Sequence, residues 1–116
     1  MLVHPTLHDN WPLVVPEAMS MGLPVLLSTR SGNVPDLLWE GENGFAFDPE
    51  NRPQLYERMR AYVDSPPLIK AHGMAGLKTV AEYTPQRAAS ATLRALEYGN
   101  FRGPVTVQEA AQERVG

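Results

Sequence analysis

Two carboxylates, Asp9 and Glu17, stand with seven residues between them, one at each end of a stretch that reads as a loop running into a helix. A carboxylate offers two oxygens that take two hydroxyl donors at once, and it can support positive charge that develops on a reacting group. An acid pair across a loop-helix turn is therefore a candidate ligand site. The flanking residues say where it would sit. Leu2 to Leu7 and Val25 to Ser28 are apolar, β-favouring runs bounded by turn residues. Between them, Pro12 suits a first helical turn, Gly22 a left-handed end and Pro24 a stop. The spacing predicts a helix from about Leu13 to Met21, with Leu13, Val14, Ala18 and Met21 sharing a buried face. Strand, loop, helix and strand make a βαβ unit, whose ligands gather at the carboxyl ends of the strands. Amides at the helix start favour an anion there.

Blander readings stand beside these. Asp9 could be a plain loop acid or an Asx turn, and Glu17 a solvated acid favoured near a helix start. His4 and His8 have a helical ligand spacing, but Pro5 between them opposes a helix, so no metal site is expected. His4 then faces the sheet and His8 the loop. Ser31 and Gly32 lie in the turn after the second strand and read as a strand-to-helix turn with no ligand contact.

The rest of the chain supplies further α/β elements. Asn33 is placed to cap a short helix, Val34 to Glu40, closed by Gly41. Asn43-Gly44 marks a turn into a third strand, Gly44 to Asp48. Leu55, Met59, Tyr62 and Val63 recur at helical spacing as a core stripe. Ser65-Pro66-Pro67 separates that helix from one over about Leu68 to Tyr83, which Gly73 and Gly76 should weaken. His72 is expected on its surface. A last helix starts at Thr84-Pro85 and runs to about Tyr98. The expected division is a domain over residues 1–100 and a polar tail over 101–116.

At 116 residues the chain has room for one domain. A net charge of -3 with scattered Lys and Arg argues against a nucleic-acid surface. The lack of cysteine removes disulfides and thiolate metal sites and suits a cytoplasmic protein, with a peripheral place at a membrane as the alternative. No apolar run approaches the ~20 residues of a membrane-spanning helix.

Several linked stretches give a more specific signal. Pro5-Thr6, Asp9-Asn10-Trp11-Pro12-Leu13 and Glu17-Ala18-Met19-Ser20-Met21-Gly22-Leu23-Pro24-Val25 resemble the donor-binding core of retaining GT-B glycosyltransferases of the group 1, or family four, type. That family carries Pro-Ser, then Glu-Gly-Phe-Gly-Leu, then Glu-Ala-Met-Ala-x-Gly-x-Pro-Val. Ser31-Gly32-Asn33-Val34-Pro35-Asp36 and Gly41-Glu42-Asn43-Gly44-Phe45 continue the match, in order, over roughly the first hundred residues. The resemblance implies a partial Rossmann-like C-terminal domain of about three parallel strands with flanking helices. It implies metal-independent hexosyl transfer with retention from a nucleotide-sugar, which is a substrate and not a cofactor, to a saccharide, lipid or small-molecule acceptor. Asp9 would be the catalytic acid supporting the transferred sugar, and Glu17 would bind the ribose. Asn10, Trp11, Leu13 and Val14 would complete the donor site, the last two through amides facing the phosphates, with Ser31 and Gly32 at the cleft. Asp9 replaces the family's usual Glu and loses ~1.5 Å of reach. Pro12 replaces a Gly and removes one amide.

The resemblance also implies that this chain is a fragment or half of a split enzyme, inactive alone. The Leu2-Val3 strand would then present an open edge, to a missing N-terminal half or to another copy. Two rivals remain: a nucleotide-sugar-binding module without activity, and an α/β structural domain that binds nothing.

Overall fold

A computed structural model describes residues 1–98. The expected tail, 101–116, lies outside the described residues. The chain divides into two compact units, Met1–Ala81 and a second beginning at Glu82.

The first unit is built on a parallel sheet of order β1-β2-β3, comprising β1 (Leu2–His4), β2 (Val25–Ser28) and β3 (Gly44–Phe47). β1 is shorter than the apolar run suggests because Pro5 has no N–H to continue the ladder. β2 is central and wholly buried, as its unbroken apolar run requires. Its alternating side chains feed two cores. Val25 and Leu27 join Val15, Ala18, Met19 and Leu37 on one face, and Leu26 joins Phe47 and Tyr62 on the other. Truncating a core side chain such as Leu26 to Ala typically costs about 2–5 kcal/mol.

Helix α1 (Val14–Ser20) crosses from β1 to β2. It ends in a Schellman motif: the Leu23 N–H donates to the Ala18 carbonyl at 3.1 Å and the Gly22 N–H to Met19 at 3.0 Å. Gly22 takes the left-handed φ of 71° that this turn needs. The buried face of α1 is Val15, Ala18 and Met19, not the predicted one. Leu13, Val14 and Met21 are 67%, 41% and 77% exposed. Val14 and Val15 are chemically equivalent, so composition could not set the helix phase; packing on β2 does.

Helix α2 is one turn, Val34–Leu37, shorter than expected. Asn43, fully buried, ends it: its amide donates to the Leu37 carbonyl and to Thr79 Oγ1, and its oxygen accepts from the Trp39 N–H. Helix α3 (Arg52–Asp64) starts at Asn51, whose side chain accepts from the Gln54 N–H. Only Tyr62 of the predicted stripe is buried; Leu55 packs at its border, while Met59 and Val63 are exposed. Helix α4 (Pro66–Ala81) follows after Ser65 alone. The helix runs unbroken through Gly73 and Gly76, which let it approach α1. A Cβ on Gly73 would lie 2.0 Å from the Gly22 carbonyl oxygen.

His72 is a further correction. It is 3% exposed, and its Nδ1 lies 2.8 Å from the Tyr62 hydroxyl. Burial lowers its pKa, partly offset by a hydrogen bond to the Gly41 backbone. Burial, with Glu40 nearby, raises that of Tyr62. The two rings meet edge to face against Phe45.

In the second unit, helix α5 (Pro85–Tyr98) forms where Thr84-Pro85 predicts, and Thr84 Oγ1 accepts from the Arg87 N–H at 3.1 Å. None of its residues is buried.

Candidate functional site

The segments that leave the carboxyl ends of β1 and β2 are tied together, and the tie positions the acid pair. The Gly32 N–H donates to the Asp9 carbonyl at 2.8 Å, and Asp9 and Ser31 form a parallel bridge beyond the strands proper. A Cβ on Gly32 would fall 1.8 Å from the Asn10 carbonyl oxygen, so only glycine allows this approach. Asn33 makes the second tie. Fully buried, it donates from its amide to the Pro12 carbonyl at 3.0 Å and accepts from the Ser31 hydroxyl at 2.9 Å. The expected Asn33 cap is therefore absent, because the side chain is used to join the two loops. Trp11 adds a third tie, its indole N–H donating to Asp36 at 2.9 Å.

The predicted residues fall into two groups. Asp9, Asn10 and Trp11 lie on the β1–α1 loop, with Asn10 and Trp11 exposed and Asp9 half-buried. Leu13 and Val14 stand exposed at the start of α1, where no side chain caps the helix. Glu17 follows in its first turn, exposed. These residues share one end of the sheet. Ser31 is different. Its side chain is turned inward to Asn33, so it braces the loop, whereas Gly32 beside it is exposed. Arg30 pairs with Glu50 across the β2–α2 and β3–α3 loops.

One neighbour of the acid pair was missed in the sequence. His4 ends β1 with Nε2 3.5 Å from Asp9 Oδ2. The signal was a histidine closing the strand that delivers the loop, but the sequence reading set it in the sheet face. Among the described residues no group of three or more His, Cys, Asp or Glu could hold a metal ion, and no helix is long and apolar enough to cross a membrane.

The chain is similar to several known proteins. The chain is 32% identical over 99 residues to the sulfoquinovosyl transferase SQD2 of Arabidopsis thaliana, covering 83% of this chain and 19% of that protein. It is 37% identical over 68 residues to a sucrose synthase of Melioribacter roseus, covering 54% of this chain and 8% of that one. In structure it resembles a sucrose-phosphate synthase from Thermosynechococcus elongatus with a TM-score of 0.71 at 23% identity, over 85% of this chain and 25% of that one. A C-terminal domain of a group 1 glycosyl transferase from Francisella tularensis gives a TM-score of 0.65 at 20% identity, over 72% of this chain and 43% of that one. The fold is thus that of GT-B glycosyltransferases. The chain spans about a fifth or less of the length of these curated relatives. Residues 1–78 match the family described as glycosyl transferases group 1, and the chain belongs to that family.

Proposed function

We propose that this chain supplies the donor-binding half-site of a retaining, nucleotide-sugar-dependent glycosyl transfer of the hexosyltransferase type. The observation that carries the reading is the convergence of the motif residues. The β1–α1 loop, the start of α1 and the exposed Glu17 carboxylate meet at the carboxyl end of a parallel sheet, where open α/β sheets bind ligands. Glu17 accepts hydrogen bonds from the ribose hydroxyls. The amides of Leu13 and Val14 face the phosphates. Asp9 faces the transferred sugar, where a carboxylate opposes the positive charge that grows as the bond to the leaving phosphate breaks. No step of this reading requires a protein-bound metal. The acceptor side comes from residues outside this chain, in line with the small share of each relative that it spans.

Calorimetry with a panel of nucleoside diphosphates tests the donor site. The expected result is saturable binding that Glu17→Ala weakens by about 1.5–3 kcal/mol, the worth of charge-assisted hydrogen bonds, with Glu17→Gln weakened less. Binding by the wild type that Glu17→Ala leaves unchanged would remove the ribose role.

A further inference from the structure

We infer that His4 is a positioning residue for Asp9, and that the two side chains act as one unit toward the sugar of the donor; this rests on the donor-site reading above. His4 is held by β1, where it registers against Leu27 of β2. Asp9 is held by its backbone, through the bridge to Ser31 and the bond from the Gly32 N–H. Strand and loop thus bring the two side chains face to face, with Nε2 to Oδ2 at 3.5 Å. Nε2 is buried and makes no hydrogen bond to a described residue, although a buried ring nitrogen ordinarily has a partner. Asp9 Oδ2 is the acceptor at hand. The separation exceeds a good N–H···O bond by a few tenths of an ångström, which a small rotation of the Asp9 side chain closes. Hydrogen bonds at catalytic sites are commonly long before substrate arrives and shorten in the complex.

The geometry also gives a use for the short acid. An Asp at position 9 keeps its carboxylate within reach of the strand-end imidazole; a Glu would carry it past. With Nε2–H bonded to Oδ2, the carboxylate loses its freedom to rotate, and Oδ1 is left for a sugar hydroxyl or the developing charge. His4 touches neither ribose nor phosphate in this arrangement. Its removal therefore changes only what depends on the sugar.

The test compares two ligands on the full chain: a nucleoside diphosphate and the corresponding nucleotide-sugar. His4→Leu should leave the nucleoside diphosphate Kd within about twofold while weakening the nucleotide-sugar about tenfold, the loss of one charge-assisted hydrogen bond's positioning. His4→Gln, which keeps a donor, should recover part of the loss. In an Asp9→Ala background, which removes the acceptor, His4→Leu should add nothing. Without any ligand, the ¹⁵N resonance of His4 Nε2 should move on Asp9→Asn while those of His8 and His72 stay. Equal weakening of both ligands by His4→Leu, or a His4 resonance indifferent to Asp9→Asn, would overturn the inference. So would binding of both ligands that His4→Leu leaves untouched, with the donor site itself still standing. If the wild type binds no nucleoside diphosphate at all, the donor-site reading fails and this inference with it.

Discussion

Asp9 and Glu17 are placed by different means. Glu17 is carried by the first turn of a helix and is exposed to solvent. Asp9 sits on a loop whose backbone is tied to the next loop and whose side chain faces His4. The spacing of the two acids was readable from the sequence because helix and loop lengths fix it. The partners of buried polar residues were not, since Asn33, Asn43 and His72 find theirs across 21, 36 and 10 positions of chain. His72 yields a prediction at this scale. In the unfolded chain it takes up a proton near the ordinary value of 6.5, whereas burial lowers its pKa in the fold. The unfolded chain then holds more protons as pH falls below 6.5, so stability is lost from there down to the folded pKa and is fully present above 6.5. Denaturant midpoints should fall between about pH 7 and about pH 5.5, and fall less in His72→Gln. A slope unchanged by His72→Gln would contradict the buried neutral imidazole.

Among the elements, α1 and the loops at its start matter most. Existence and order of strands and helices followed from turn residues and apolar runs: Pro12, Gly22 and Pro24 bracket α1 within a residue or two. Its phase did not follow, because adjacent valines give two faces of equal hydrophobicity and only β2 chooses between them. Nor did the role of Gly32, which has no side chain to signal its function. Gly32→Ala is the corresponding test. The added Cβ would overlap the Asn10 carbonyl, so the β1–α1 loop must withdraw from the β2–α2 loop. A loss of about 1–3 kcal/mol in stability is expected from such overpacking, together with weakened nucleoside diphosphate binding. A variant with wild-type stability and affinity would show that the tie between the loops is dispensable.

For the first unit as a whole, the two edges of the sheet differ. β3 is covered: the Gly44 carbonyl accepts from the Gly41 N–H, the Ala46 N–H donates to the Glu40 carboxylate, and Arg58 pairs with Glu40 while lying over the Phe45 ring. β1 is open. The Leu2 N–H is spent on Pro24, and in the parallel alternation Val3 then turns its N–H and C=O away from β2. An open, apolar strand edge invites pairing. Light scattering of the chain alone should therefore give a mass above the monomer's 12.8 kDa, and a monomer that persists at high concentration would contradict it.

The central claim is that the β1–α1 loop and the first turn of α1 are the donor site, and amide chemical-shift mapping on titration with a nucleoside diphosphate tests it most directly. The account predicts saturable shifts confined to the segment from Asp9 to Glu17 and to Gly32, reached in Glu17→Ala only at about tenfold or more higher ligand concentration. Shifts centred instead on the surface formed by Trp39, Met74 and Lys78, beside the amino end of β3, would contradict it, as would no shifts with any nucleotide.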